Sequence, residues 1–292
     1  MPLRLLTLLA GLCLLAAGCG GTTPADVVPA EQEPSTAATS PPPRVDATTA
    51  EPAFGVLTEL DEAWEQRDCT TIADLTAWAE KPLGGRACEG TRNGRPALYS
   101  DPVFFLPDEP GWFAALARKP SPAYFVFVFE DGRWRLGAGP IPARGEPVRP
   151  GETGVAADPD LATEAALVPQ RHLTYLTDPA GVNGVRFPAG DPVRGLLAEI
   201  LARPAQVRPD RLDIDVELVD GPARAVALSA DSMLVFDVVR LTYRQRPKAG
   251  RTALKHPLDG VSPEGTELVE LASVLSATKG LTTVGTRRGV AD

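Results

Sequence analysis

The sequence predicts an α+β protein of two modules, each a curved, largely antiparallel sheet packed against a few helices, and three observations carry that expectation. Apolar residues recur at three- and four-residue steps over 54–79 and again over 191–202, the spacing of amphipathic helices. Alternating or continuous apolar runs of strand length occur at 124–129, 212–218 and 233–243. With 30 Pro and 27 Gly in 292 residues, turns interrupt the chain too often for long helices. A segment rich in Pro, Gly and charge, 140–160, divides the modules into 54–139 and 161–292.

Taken in order, the chain begins with Arg4 followed by Leu5, Leu6, Leu8, Leu9, Leu12, Leu14 and Leu15, an apolar core too short to span a bilayer as a stable helix. It closes on Ala16-Ala17-Gly18-Cys19, which resembles the lipobox of bacterial lipoproteins, with Ala16 where that family more often has Leu. The resemblance implies removal of a signal peptide (1–18), acylation of Cys19 and attachment to the outer side of a cell membrane. Ordinary signal-peptidase cleavage or retention as an uncleaved anchor are the alternatives. Residues 19–53, rich in Thr, Pro, Ala and Glu and including Pro41-Pro42-Pro43, read as a disordered tether.

In the first module, Phe54, Leu57, Leu60 and Trp64 mark a helix. Asp68 is placed to cap a second helix whose apolar side is Ile72, Leu75, Trp78 and Ala79. Val103 to Leu106 reads as a short strand and Trp112 to Leu116 as a short helix. Tyr124 to Phe129 is a strand apolar on both faces, turned by Asp131-Gly132 into a partner carrying Trp134 and Leu136 on one face and Arg133 and Arg135 on the other. The bent helix pair with an aspartate at the bend, and Gly132-Arg133-Trp134-Arg135-Leu136, resemble the cone-shaped fold shared by nuclear transport factor two and its bacterial relatives. That resemblance implies a curved sheet and a cavity.

In the second module, Leu161 to Leu167 reads as a helix and Leu173 to Leu176 as a strand. Asp191 to Ala202 is a clearer helix with Pro192 in its first turn and Leu196, Leu197, Ile200 and Leu201 on its apolar side. Leu212 to Leu218 is a half-buried strand, Asp220-Gly221 turns into a strand over Ala223 to Ser229, and Met233 to Tyr243 is a long strand. Leu268 to Leu275 is a helix or strand. Leu281 to Val284 closes the sheet, with Arg287 and Arg288 beyond it as charges that discourage edge pairing. Gly184 to Gly190, Ala225 to Leu228 and Leu234 to Phe236 resemble a group of actinobacterial lipoproteins with a C-terminal domain of unknown function. Gly195 to Pro204 alone resembles the helix of the sporulation and germination domain, but the segment after Tyr243 does not continue that pattern.

A formal net charge of −9 and a pI near 4.9 argue against a broad basic face for nucleic acid. Once Cys13 leaves with the leader and Cys19 is acylated, Cys69 and Cys88 remain, and two thiols outside the cell suggest one disulfide. His172 and His256 have no partner at metal-ligand spacing and read as surface or loop residues, so no metal and no cofactor is expected. Asp213, Asp215 and Glu217 share a strand face that is expected to be solvated. No nucleophile elbow, phosphate loop or dinucleotide fingerprint appears. Trp64, Trp78, Phe125, Phe127 and Trp134 either fill the first module or line a cavity for a small hydrophobic ligand.

These readings point to a non-catalytic binding or scaffold component of the cell envelope, held to the membrane through Cys19, with an envelope protein as candidate partner and no nucleic acid. A hydrophobic-ligand carrier and an enzyme of the cone class with Asp68 as base are the alternatives.

Overall fold

Trp112-Phe113-Ala114-Ala115-Leu116-Ala117 is buried along its whole length. A strand with both faces buried must be covered on both sides, and that requirement sets the architecture. A computed structural model describes residues 42–84, 98–151, 155–178, 185–221, 223–257 and 264–291. Four helices come first, α1 (Ala47–Phe54), α2 (Val56–Gln66), α3 (Cys69–Leu75) and α4 (Glu80–Gly84). An antiparallel sheet of β1 (Ser100–Phe105), β2 (Trp112–Lys119), β3 (Ala123–Glu130) and β4 (Arg133–Pro142) follows in sequential order. Then come α5 (Pro159–Ala166), α6 (Val168–Thr177) and α7 (Pro192–Gln206). The second sheet comprises β5 (Arg211–Leu218), β6 (Arg224–Ser229), β7 (Ser232–Arg246), β8 (Glu264–Ser276) and β9 (Gly280–Val290). Its order is β5-β7-β8-β9, with β6 pairing the other end of β7.

The fold is α+β with two sheets, and its layers follow from which face each side chain takes. On the first sheet Phe113, Ala115, Phe125 and Phe127 meet Ala50, Leu60 and Ile72 of α1 to α3. The alternate residues Trp112, Leu116, Tyr124 and Val126 meet Leu234, Phe236 and Leu268 of the second sheet. The remaining face of the second sheet, with Val235, Val239 and Leu271, is covered by Leu161, Val168 and Leu197 of α5 to α7. Helices, sheet, sheet and helices therefore stack in that order, and the two modules share the central layer. Residues 143–148 pin it: Ala143 bridges Gly285, Arg144 N donates to Val284 O at 2.7 Å, and Val148 N donates to the Tyr124 hydroxyl at 2.9 Å. A Cβ on Gly285 would come within 3.1 Å of Ile141 Cγ2 and Pro142 O, so a larger residue there would require β4 to give by a few tenths of an ångström.

Local chemistry accounts for the ends of the elements. Asp46, Asp68, Asp158 and Asp191 cap α1, α3, α5 and α7 through side-chain oxygens. Asp191 also accepts from Thr283 N at 2.8 Å, which fixes the start of α7 to β9. Asp131 (φ 52°) and Gly132 (φ 82°) both take positive φ, as a tight hairpin turn between β3 and β4 requires.

Five expectations are revised. Trp112 to Leu116 forms β2 and not a helix: helix-favouring Ala and Leu yield to a position between two apolar layers. Leu173 to Leu176 lies in α6, where Val168, His172 and Leu176 repeat at four-residue steps on the buried side. Order reaches back into the expected tether, because Val45 is buried and α1 starts at Ala47. Leu201 is 59% exposed, so the buried stripe of α7 is Val193, Leu196 and Leu197. Arg287 and Arg288 lie within β9, and both enter ion pairs.

Arg287 points into the inter-sheet layer, pairs with Glu80 of α4 and with Glu270 of β8 (3.2 Å), and donates to Gly139 O of β4 at 2.6 Å. Burial pushes the Glu270 carboxyl up to about 8; Arg287 opposes the rise and Glu80 adds to it. The folded value lies above the ordinary glutamate value of 4.5, so the fold favours the protonated form. This contribution is complete below about pH 4.5 and is lost as pH rises through 8. Two outcomes are expected in urea denaturation. Stability falls between pH 5 and pH 8.5, and Glu270→Gln flattens that fall. Arg287→Met removes about 3–5 kcal/mol, because two carboxylates lose their buried counter-ion.

Candidate functional site

The residues singled out from the sequence do not come together at one place. Cys19 and Cys88 lie outside the described residues, while Cys69 is disulfide-bonded. Trp64, Phe125, Phe127 and Trp134 come together on the helix-covered face of the first sheet. Phe125 and Phe127 are closed in by other rings: Tyr99 stands 4.9 Å from Phe125, and Phe113 stacks on Phe127 at 4.8 Å. Trp134 meets Phe113 and Phe129 edge-on at 5.1 and 5.3 Å. Trp78 does not join them and packs against the inter-sheet layer. Asp68 accepts from Thr70 N and Thr71 N at 3.1 Å each, and from the Thr71 hydroxyl at 2.8 Å; these bonds hold its carboxyl below the usual range. Asp213, Asp215 and Glu217 are exposed along β5.

The acid–base pairs that sequence reasoning missed are sealed in. His172, expected at the surface, is wholly buried on α6, and its Nδ1 lies 2.9 and 3.0 Å from the two carboxylate oxygens of Asp237 on β7. Its ring stacks on Phe187, and its Nε2 has no partner. Ser273 and Thr283, paired across β8 and β9, carry buried hydroxyls without partners. A charge set in a strand or helix row of apolar neighbours was the available signal: Asp237 in Leu234 to Leu241, Glu270 in Leu268 to Leu275, His172 between Val168 and Leu176. On the other face of β9, Arg288 pairs with Glu267 (2.6 Å) and with Glu199 of α7 (2.5 Å), and Glu267 also accepts from the Tyr243 hydroxyl at 2.9 Å.

Among the described residues, the largely buried Arg224 guanidinium is not matched in this way. Along β6 the residues Arg224, Val226 and Leu228 alternate onto the face turned to the first sheet, so a guanidinium sits in an apolar row. It lies over the rings of Trp78 (5.2 Å) and Trp112 (5.8 Å), a double cation–π contact. Its Nε has no hydrogen-bond partner, and among the described residues no carboxylate pairs with it. Burial lowers the pKa of the guanidinium, while the more distant Glu109 and Glu130 carboxylates raise it.

The surrounding side chains are held firmly. Trp112 starts β2 and donates from Nε1 to Glu109 at 3.3 Å. Trp78 stands between α3 and α4 with φ 44°, a left-handed conformation that strains a bulky residue, and its buried Nε1 also lacks a partner. The preceding residue is fixed by Ala77 N donating to Leu136 O at 2.8 Å. A Cβ on Gly221 would stand 3.4 Å from Trp78 Nε1, so the segment leading into β6 passes directly beside the indole N–H.

A cleft of about 310 Å³ lies farther along β6, walled by Phe105, Leu106, Val226 and Met233 together with the carboxylates of Asp108 and Glu109; Arg224, Trp78 and Trp112 do not line it. The Arg224 arrangement presents two buried N–H donors without acceptors and two aromatic faces. Among the described residues no group of three His, Cys, Asp or Glu side chains could hold a metal ion.

The role of Asp68 can be checked directly. Asp68→Ala is expected to lower the melting temperature at pH 7, and Asp68→Asn to retain most of it, since an amide oxygen also caps. Because the folded pKa is depressed, the difference between native and Asp68→Ala shrinks as pH falls through that value.

The chain matches no family model, no curated protein and no solved structure.

Proposed function

We propose that this chain is a membrane-anchored, extracytoplasmic lipoprotein whose folded body binds rather than transforms its partner. The observation that carries the reading is the Arg224 site. A guanidinium and an indole N–H are set without acceptors between two tryptophans, whereas the acid–base pairs His172–Asp237 and Arg287–Glu270 are buried and engaged with the fold itself. Polar donors that the fold leaves without acceptors are the groups an outside acceptor would satisfy.

The attachment rests on Leu5 to Cys19, an apolar leader running into small residues and a cysteine. No helix among the described residues is long and apolar enough to cross a membrane. An acylated Cys19 anchors without one, since each buried methylene adds about 0.8 kcal/mol and several chains on one residue make release slow.

Mass spectrometry of the mature chain from a lipoprotein-processing host is expected to show an N-terminal Cys19 bearing a diacylglyceryl group. Cys19→Ser is expected to release the body from the membrane fraction. Recovery of the chain in the cytosol with its leader intact and no acyl group would overturn the attachment.

A further inference from the structure

We propose that the cleft between the start of α7 and the helix-facing side of β9 binds a small amphipathic carboxylate, its head group at Arg144 and Arg194 and its apolar body over the sheet. Arg224 and Trp78 line no part of this cleft, so the site goes beyond the reading above and stands on its own residues.

The cleft measures about 470 Å³ and forms where α7 meets the edge of the second sheet. Thr286 and Arg288 share one side of β9, the last strand, and pair with Leu271 and Val269 of β8. Val193 and Leu196, about one turn apart on α7, close the apolar floor. Arg194 belongs to the first turn of that helix. Arg144 reaches the same cleft from beside β9, where its backbone N–H donates to Val284 O.

Five charged side chains line the cleft, and three of them are already engaged. Glu199 pairs with Arg288 and Arg203; the hydrogen bond from Arg288 leads in holding its carboxyl below the usual range. Arg288 donates from all three of its nitrogens to Glu199 and Glu267. Asp191 accepts from Val193 N and Thr283 N. Arg194, by contrast, makes one long contact, Nη1 to Phe187 O at 3.4 Å. Among the described residues the Arg144 guanidinium has no partner. Both arginines are exposed, so a solute in the cleft meets them directly.

Two guanidiniums with donors to spare favour an oxyanion, and the planar pair of oxygens in a carboxylate matches the fork of either. Asp191 and Glu199 limit the charge of that anion: a dianionic phosphate meets twice the repulsion that a monoanionic carboxylate does. The apolar floor and the volume suit a short alkyl or aryl body.

Gly195 supplies a second, independent pointer. It lies inside α7, lines the cleft, has no positive φ, and a Cβ built on it would meet nothing within 4 Å. Glycine inside a helix is less stable than alanine, and here neither backbone conformation nor packing calls for it. What the missing side chain leaves is room in the cleft.

The test is isothermal titration calorimetry of the full chain with sodium acetate, sodium hexanoate, 1-hexanol and inorganic phosphate at constant ionic strength and pH 7. Hexanoate is expected to bind saturably and at least about tenfold more tightly than acetate, given roughly three- to fourfold per buried methylene. It is also expected to bind more tightly than hexanol, which lacks the charge, and than phosphate. Arg144→Gln and Arg194→Gln combined are expected to weaken hexanoate about tenfold or more, since charge-assisted hydrogen bonds are lost. Both positions are exposed, so the double variant is expected to stay folded. Gly195→Leu is expected to fill the recess and weaken hexanoate by a similar factor without lowering the melting temperature.

A flat hexanoate titration, equal affinities for acetate and hexanoate, hexanol or phosphate binding as tightly as hexanoate, or an unchanged hexanoate affinity in either folded variant would each overturn the proposal. Acylation at Cys19 is read separately by mass. Failure of the anchor therefore leaves this site standing, and failure of the site leaves the anchor standing.

Discussion

Two successive arginines on one strand set the register in which the layers stack. Because neighbouring side chains on a strand point to opposite faces, Arg287 enters the space between the sheets while Arg288 reaches out to α7. Arg287 gathers α4, β4 and β8 through Glu80, Gly139 O and Glu270, so a single guanidinium fixes the first sheet against the second. Arg288 gathers α7 and β8 through Glu199 and Glu267, with Arg203 over the Tyr243 ring at 4.8 Å beside them. Neither network adds much stability over a well-packed apolar equivalent. Each instead sets register, because sliding β9 by one residue would put both charges on the wrong faces.

That constraint explains why the two halves form one body. Each half is a sheet with helices on one side, and by itself each would expose an apolar sheet face bearing Leu116, Tyr124 and Val126, or Leu234, Phe236 and Val238. Burying these faces against each other removes from water an area that dwarfs any single polar contact. The segment after β4, low in apolar residues and rich in Pro and Gly, works as a strap: Ala143 and Arg144 run along β9 and Val148 bonds Tyr124. Separation in sequence and separation in space are different things here.

Most elements were legible because local signals and tertiary context agreed. The caps Asp68 and Asp191, the Asp131-Gly132 turn and the alternation of Leu212 to Leu218 act over a few residues and need nothing from the rest of the chain. β2 was illegible for the opposite reason: Phe113-Ala114-Ala115-Leu116-Ala117 favours a helix locally, and only the presence of two flanking layers makes a strand the better answer. The site was half visible. Trp78 stood out as an aromatic, but the partners that give it meaning, Trp112 and Arg224, are brought to it by the stacking of one sheet on another. Arg224 left one local trace, a charge aligned with Val226 and Leu228 on an inward face. The same trace marks Asp237 and Glu270, so it identifies a buried polar group without saying whether the fold or a ligand satisfies it.

The contrast between Arg287 and Arg224 separates those two cases. Both guanidiniums belong to the same inter-sheet layer, and both carry the desolvation penalty of leaving water. At Arg287 two carboxylates and a backbone carbonyl compensate that penalty from inside the chain, and Glu270 is driven toward its neutral form so that the local charge balances. At Arg224 the compensation is partial: two tryptophan faces offer quadrupole attraction, the carboxylates stay out of reach, and a second donor is left beside it. A fold selected only for stability has an easy remedy, since moving one acidic side chain within reach, as at Arg287, would close the balance. That the remedy is used at one guanidinium and withheld at the other is the physical reason to look for the missing acceptor outside the chain.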